Sequence, residues 1–250
     1  MSLPLELAHR RYIQQAAWIE PLRKHLVRRA GLPNAQRVLE IGCGTGAVLG
    51  SIVHGQQTKL FGADIDLAAL NLALQQAPAA RLAAGDAHKL PYQDQAFDIC
   101  FFHFVLLWLQ DPVAALVEAG RVTRPGGAVL ALAEPDYSQR VDKPASLSEL
   151  GILQTEALGA QGANPELGGR LTSLFHAAGL SVVESGQLDQ PDDRGPTNSD
   201  ASLEWEVLRA DLHGRIPDIE LDRLAAEDLR ARQAGERVLL VPTFYAFATT

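Results

Sequence analysis

The stretch Val38-Leu39-Glu40-Ile41-Gly42-Cys43-Gly44-Thr45-Gly46-Ala47 decides the fold. Val38 to Ile41 is a short apolar run rich in branched side chains, the pattern of a strand buried on both faces of a parallel sheet. Three glycines follow at alternate positions. One permits a tight turn and another lets a ligand approach the backbone. A helix is expected over about 46–54, with first N–H groups that have no partner inside the chain. This unit points to a nucleotide-like ligand without choosing one, because Gly42, Gly44 and Ala47 also satisfy the G-x-G-x-x-G/A dinucleotide pattern. Asp64 ends the next apolar run, where a carboxylate would accept hydrogen bonds from both hydroxyls of a ribose. Capping of the following helix is assigned to Asp66, directly before Leu67.

Outward from this turn, short runs rich in Val, Leu, Ile and Ala alternate with helical patterns, the signature of βαβ units. Strands are predicted at Arg37 to Ile41, Lys59 to Asp64, Ala80 to Ala84, Phe97 to His103 and Ala128 to Glu134, with helices near 67–77 and 112–124. Asp111 is the expected N-cap of the latter and Pro112 its first residue. Residues 3–31 read as two helices broken at Pro21 and closed by Gly31-Leu32-Pro33. Beyond Glu134 the expectation is a loop with a short helix at 147–158, a helix at 165–178, a strand at 180–188, an exposed loop at 190–200, helix over 201–234 and a final strand Val238 to Thr249.

The chain has 250 residues, 47% hydrophobic and 21% charged, which suits a globular α/β domain. We read it as one domain, with 1–33 as a helical cover and 190–236 as a helical insertion before the last strand. Twenty-two basic against 30 acidic residues leave a net charge of −8. No long-range field draws it to nucleic acid or anionic lipid. Arg10, Arg11, Arg23, Lys24, Arg28 and Arg29 cluster near the N-terminus, as a basic groove or as the solvated face of a helix. Two cysteines, Cys43 and Cys100, are too few for a disulfide framework or a cysteine-built zinc site, and the histidines lack ligand spacing, so no metal is expected. The longest near-apolar run, Ile99 to Leu109, is too short to span a bilayer and is interrupted by His103. A cytoplasmic location is expected, with no membrane partner and an oligomeric state left open.

Gly85-Asp86-Ala87, then Leu90-Pro91-Tyr92-Gln93-Asp94-Gln95-Ala96-Phe97-Asp98, separate the cofactor readings. Here the chain resembles the class I S-adenosylmethionine-dependent methyltransferases, in particular the small-molecule group with segments of the form GDA…LP(F/Y)xDxxFD. The resemblance runs from Arg37 to Glu134 and includes Gly120 to Gly127. It implies a Rossmann-like α/β fold: a seven-stranded, mostly parallel sheet of order 3-2-1-4-5-7-6, helices on both faces and an antiparallel last strand. It also implies S-adenosyl-L-methionine as cofactor and S-adenosyl-L-homocysteine as product. Asp86 would take the adenine amino group, and the Ala87 N–H a ring nitrogen. Ile65 and Ala87 would flank the adenine. The turn Gly42, Cys43 and Gly44, together with the backbone at Phe102 or His103, would receive the amino-acid end, with Glu40 acting on its ammonium through water or by orienting the turn.

The sequence departs from the group at Leu107-Trp108, where a histidine commonly precedes the aromatic. It also lacks the (N/D)PP(Y/F) tetrapeptide of amino-methylating nucleic-acid enzymes. His103 is the candidate general base, or else a packing residue that shapes the pocket. Glu134 and Asp136 flank Pro135 at the C-terminal end of the fifth strand, to bind an amine, serve as base or cap the following turn, and Tyr137 lies nearby. Tyr12 and Gln15 share a helix face and either close over the cofactor or pack. The expected acceptor is a small molecule held near Trp108, Trp205 and Tyr137, with no nucleic acid. The alternatives are a macromolecular acceptor docked on the basic helices, or a protein that binds the cofactor without catalysis.

Overall fold

The architecture is that of a computed structural model that describes residues 3–52, 54–188 and 198–250, with side chains from residue 201 onward in the last segment. Helices α1 (Leu5–Trp18) and α2 (Glu20–Arg29) precede strand β1 (Arg37–Ile41). Then come β2 (Lys59–Asp64), α3 (Leu67–Gln76), β3 (Arg81–Ala84), β4 (Phe97–Phe102), α4 (Pro112–Val122) and β5 (Thr123–Pro135). The second half holds β6 (Val141–Lys143), α5 (Ser148–Ala160), α6 (Leu171–Ala177), β7 (Ser181–Gln187), α7 (Asn198–Asp211), α8 (Asp218–Gln233), β8 (Val238–Leu240) and β9 (Thr243–Thr249).

Seven strands form one sheet in the order β3-β2-β1-β4-β5-β9-β7. Counting only its strands along the chain, this is the expected 3-2-1-4-5-7-6. β1 to β5 pair in parallel, and β9 runs antiparallel to both β5 and β7. Side chains alternate across β1: Leu39 and Ile41 join a core with α4 and α6, whereas Val38 faces the side covered by α2, whose Leu26 and Val27 are buried there. Both faces are therefore dry, which is why β1 and β4 read as continuous apolar runs. Asp66 and Asp111 cap α3 and α4 as expected, accepting from Ala68 and Ala69 at 2.8 and 3.2 Å and from Ala114 at 2.9 Å.

Four expectations are corrected. The helix at 46–54 is only a three-residue 3₁₀ turn, Leu49–Ser51, because Gly42, Gly44 and Gly46 all have positive φ and delay helical geometry until Val48. The expected helix at 165–178 is a 3₁₀ turn, Gly168–Arg170, followed by the shorter α6. Helix 201–234 is two helices separated around Gly214, which has φ +73°. The final strand breaks at Pro242, which has no N–H for a ladder. Its first part, β8, pairs with β6 in a separate two-stranded ribbon that the sequence reading did not anticipate. Most of the expected 190–200 loop lies outside the described residues.

A third apolar cluster joins Leu147, Leu150 and Ala157 to Leu208, Leu212, Leu221 and Leu224, outside the sheet. Beside it runs a buried ion network. Arg140 and Arg237 flank Asp142 at 2.7 Å each, Arg237 also donates to Asp228, and Arg232 bridges Asp228 at 2.6 Å and Glu204 at 3.1 Å. No helix among the described residues is long and apolar enough to cross a membrane.

Candidate functional site

The C-terminal ends of β1, β2, β4 and β5 converge on the glycine turn. Gly42 has φ +73°, and a Cβ there would stand 2.5 Å from Val105 Cγ2. Only glycine fits on both counts. The Gly44 N–H donates to Asp64 Oδ2 at 2.6 Å, and the Asp66 N–H to Oδ1 at 2.9 Å. Asp64 thus braces the turn. Helix α1 lies over the turn: His9 Nδ1 and Thr45 Oγ1 share a hydrogen bond at 2.8 Å, and the Tyr12 ring would meet a Cβ on Gly44 at 3.2 Å. Loss of solvent around its hydroxyl and the charges of Asp64 and Asp66 hold the Tyr12 phenol above its ordinary range. Tyr12 and the glycine turn, 30 residues apart in sequence, are neighbours here.

Beneath the turn sits a buried polar group. Glu40 accepts from the Leu49 N–H, but its Oε2 has no partner; nor has Nε2 of His103. Burial pushes the Glu40 carboxyl well above the carboxylate range, against the pull of Arg23. Burial, helped by the Arg23 charge, drives the His103 imidazole down to about 3. His103 is therefore neutral and weakly basic, a poor match for a general base at neutral pH. It lies just past the end of β4, not inside it, with its ring edge-on to Phe104 at 4.9 Å. Two buried polar atoms without partners beside a glycine cradle fit a ligand with a polar, cationic end.

Ile65, Asp86 and Ala87 follow the C-terminal ends of the paired strands β2 and β3. Ile65 is 75% exposed at the end of β2, an apolar surface without a protein partner. Asp86 Oδ1 accepts from the His88 N–H at 2.9 Å and from His88 Nδ1 at 2.6 Å, and this pairing holds its pKa below the usual range. Nδ1 is the protonated nitrogen by this geometry, since the carboxylate can only accept. Oδ2 stays available. His88 was missed by the sequence reading; its spacing of two from Asp86 was the available signal. His88→Ala is expected to weaken S-adenosylhomocysteine binding by about 0.5–1.5 kcal/mol, the ordinary range for one hydrogen bond, and His88→Asn to recover part of it, both read by calorimetry.

Glu134, within β5, and Asp136, just after it, are buried and bonded to the fold. Glu134 accepts from the N–H groups of Val105, Leu106 and Leu107 at 3.0, 3.2 and 3.2 Å. It holds the turn that carries Val105 against Gly42. Asp136 accepts from the Ser138 N–H and hydroxyl, Gln139 Nε2 and the Gly169 N–H. Both carboxylates are spent on the fold. Tyr137 is half-buried, with the charges of Arg11 of α1, Arg140 and Asp211 of α7 in its surroundings. Trp205 donates to Asp228 at 3.0 Å and lines a cavity of about 550 Å³ between α7 and α8, away from the turn, while Trp108 is 44% exposed. A second cavity, about 540 Å³, opens at the opposite sheet edge beside Gln36, Tyr92 and Arg124.

The basic N-terminal cluster is dispersed. Arg10 pairs with Glu206, Lys24 with Glu20 and Arg29 with Glu184, while Arg23 is buried and donates to the Ala16 carbonyl. These pairs neutralise the charges that a phosphate backbone would need.

Residues 39–131 match the methyltransferase domain family. An uncharacterised methyltransferase of Schizosaccharomyces pombe is 33% identical over 145 residues, 53% of this chain and 52% of that protein. A malonyl-[acyl-carrier protein] O-methyltransferase of Yersinia pestis is 43% identical over 98 residues, 37% of this chain and 34% of that one. The chain thus spans about half or less of the length of the curated relatives it matches. Among solved structures, the [4+2]-cyclase SpnF is similar with TM-score 0.61 and 20% identity, over 92% of this chain and 80% of that one. Geranyl diphosphate methyltransferase, solved with S-adenosylmethionine, has TM-score 0.57 and 15% identity, over 94% and 84%. These last two show the likeness of fold.

Proposed function

We propose that the chain, whose residues 39–131 match the methyltransferase domain family, transfers a methyl group from S-adenosyl-L-methionine to a small-molecule acceptor. The observation that carries the reading is the glycine cradle: Gly42 and Gly44 in left-handed backbone, braced by Asp64 and roofed by Tyr12, with unpartnered Glu40 Oε2 and His103 Nε2 beneath. When bound, the cofactor supplies an electrophilic methyl group on a sulfonium. Asp64 reads the ribose, Asp86 the adenine amino group and the Ala87 N–H a ring nitrogen, with Ile65 and Ala87 flanking the base. Gly42, Cys43, Gly44 and the backbone at Phe102 or His103 receive the amino-acid end, and Glu40 acts on its ammonium through water or by orienting the turn. A dry site over this turn favours a reaction in which charge disappears. We read the protein as one cytoplasmic domain, with the N-terminal helices and the 190–236 segment covering the acceptor.

The relatives named for malonyl-[acyl-carrier protein] O-methylation support an acceptor that is organic and small at the reacting end. The ion pairs of the basic helices count against nucleic acid. A second reading, cofactor binding without methyl transfer, draws on the likeness to a [4+2]-cyclase, since one fold hosts several chemistries.

Calorimetry with S-adenosylhomocysteine and with NADH separates the cofactor classes, and transfer of labelled methyl to an organic pool separates the two readings. Binding of NADH alone overturns the proposal; binding of the adenosyl ligand with no labelled product favours the second reading. Asp64→Ala is expected to weaken S-adenosylhomocysteine binding by about 1.5–3 kcal/mol, the range for a hydrogen bond to a charged group. Unchanged affinity in the folded variant would return Asp64 to a purely bracing role.

A further inference from the structure

The N-terminal ends of β1, β2 and β3 carry cations that the fold leaves unpaired. Arg37 is the register partner of Lys59, and Phe61 that of Arg81. Partners in adjacent strands project to the same face, as do residues two apart along one strand, so Arg37, Lys59, Phe61 and Arg81 share a face. The Arg37 guanidinium stands 4.8 Å from the Phe61 ring centre and 5.1 Å from that of Phe97, and the Arg81 guanidinium 5.7 Å from Phe61. Both rings are buried and packed edge-on at 5.1 Å, with Tyr92 edge-on to each. Two guanidiniums therefore rest on one fixed aromatic platform, held by the ring faces with their N–H edges unused. Among the described residues no carboxylate lies within 4.0 Å of Arg37, Lys59 or Arg81, and neither guanidinium donates a hydrogen bond. The carboxylates beside Arg37 are already engaged. Asp98 accepts from the backbone N–H groups of Gln36 and Arg37 at 2.8 and 2.9 Å and from Arg124 at 2.7 Å, and Asp94 pairs with Arg121 at 2.5 Å.

Arg37, Tyr92 and Phe97 also line the cavity of about 540 Å³, with the amides of Gln36 and Gln93 on the same wall. That volume falls in the ordinary range of small-molecule sites. We propose that Arg37, Arg81 and Lys59 bind the phosphate group of a small phosphate monoester, whose organic part occupies this cavity. Such a group carries about 1.5 to 2 negative charges at neutral pH and three acceptor oxygens. A guanidinium fork matches those oxygens in pairs, and stacking on a buried ring fixes the fork before the ligand arrives. A compact anion suits the surface better than a polyanion. The cations occupy only the starts of three strands, and Asp94 on the cavity wall, with its side chain 73% exposed, would repel a phosphate chain continued along it. The glycine turn follows the other end of β1. The ligand is thus neither cofactor nor methyl acceptor, and the site stands apart from the methyl-transfer reading.

The test titrates the full chain by calorimetry with glucose 6-phosphate, fructose 6-phosphate and glycerol 3-phosphate, none of which carries an adenine that the glycine turn could take. Glucose, fructose and glycerol are titrated beside them, and an oligothymidylate serves as the polyanion. The expected result is binding of at least one ester, with its parent alcohol about 10-fold or more weaker. Arg37→Gln should weaken that ester by about 10- to 100-fold, the size of charged hydrogen bonds, and Arg81→Gln by about 10-fold. Arg37→Lys should recover little, because an ammonium neither lies flat on the rings nor offers a fork. Lys24→Gln, which removes a charge from α2 elsewhere on the surface, should change nothing. Ester and alcohol binding alike, no ester bound, arginine variants with unchanged affinity, or the oligothymidylate binding more tightly than every ester overturns the proposal. Should Arg37→Gln not fold, since its side chain covers Phe61 and Phe97, the exposed Arg81→Gln and Lys59→Gln carry the test.

Discussion

Asp228→Ala is expected to destabilise the protein by about 3–5 kcal/mol, the cost of breaking a buried charge network by removing one partner. Asp228 accepts from Arg232 Nε at 2.6 Å, Trp205 Nε1 at 3.0 Å and Arg237 Nε. Asp228 and Arg237 are almost fully buried, and Arg232 is partly so. Alanine would leave the Trp205 indole N–H without its acceptor and take one carboxylate from each arginine, Arg237 keeping Asp142 and Arg232 keeping Glu204. For a chain of this length the melting temperature should fall by roughly 6–20 °C, read by calorimetry, while Arg10→Ala, which breaks an exposed pair with Glu206, should leave it nearly unchanged. The sign of the pH response follows from the same contacts. Burial alone would raise the Asp228 pKa, but the three donors outweigh it and hold the group below its usual value. Its contribution is therefore present above the unfolded pKa and lost as pH falls through the lower folded one. A fall of less than 1 kcal/mol would show that the network relaxes around the gap.

Glu134→Ala should cost about 3 kcal/mol or more, because the N–H groups of Val105, Leu106 and Leu107 would lose their acceptor inside the fold. Val105 is also the side chain that closes on Gly42, so cofactor affinity should weaken with stability. The pH dependence is opposite to that of Asp228. Burial outweighs the three N–H donors and pushes the Glu134 carboxyl up to about 7, above an unfolded value near 4.5. Between those values the folded chain holds the proton more tightly, so stability is greater at the acid end and declines as pH rises through the window, by about 3 kcal/mol in all. Glu134→Gln keeps an acceptor oxygen but cannot titrate. Urea unfolding at pH 5 and pH 8 should show the decline in the wild type and a flatter profile in Glu134→Gln; equal slopes would remove Glu134 as its source.

The amino-acid sequence by itself determined the parallel half of the molecule. Arg37–Ile41 and Lys59–Asp64 fall where they were expected because a strand covered on both faces needs an unbroken apolar run, and such a run is visible locally. Asp66 and Asp111 were legible as caps because a cap reaches only two or three residues along the chain. Where three glycines in left-handed backbone replace the first helical turn, pattern reading predicted a helix that does not form. Only the tertiary structure decided the fate of the polar residues after β5 and on α1. Glu134 meets Val105 across 29 residues, Asp136 meets Gly169 across 33 and Arg10 meets Glu206 across 196. A carboxylate's role depends on which donors surround it and how dry they keep it, and those donors come from distant elements that no local period encodes. A sequence shows where charges are, whereas packing decides which are spent on the fold and which are left to meet a ligand.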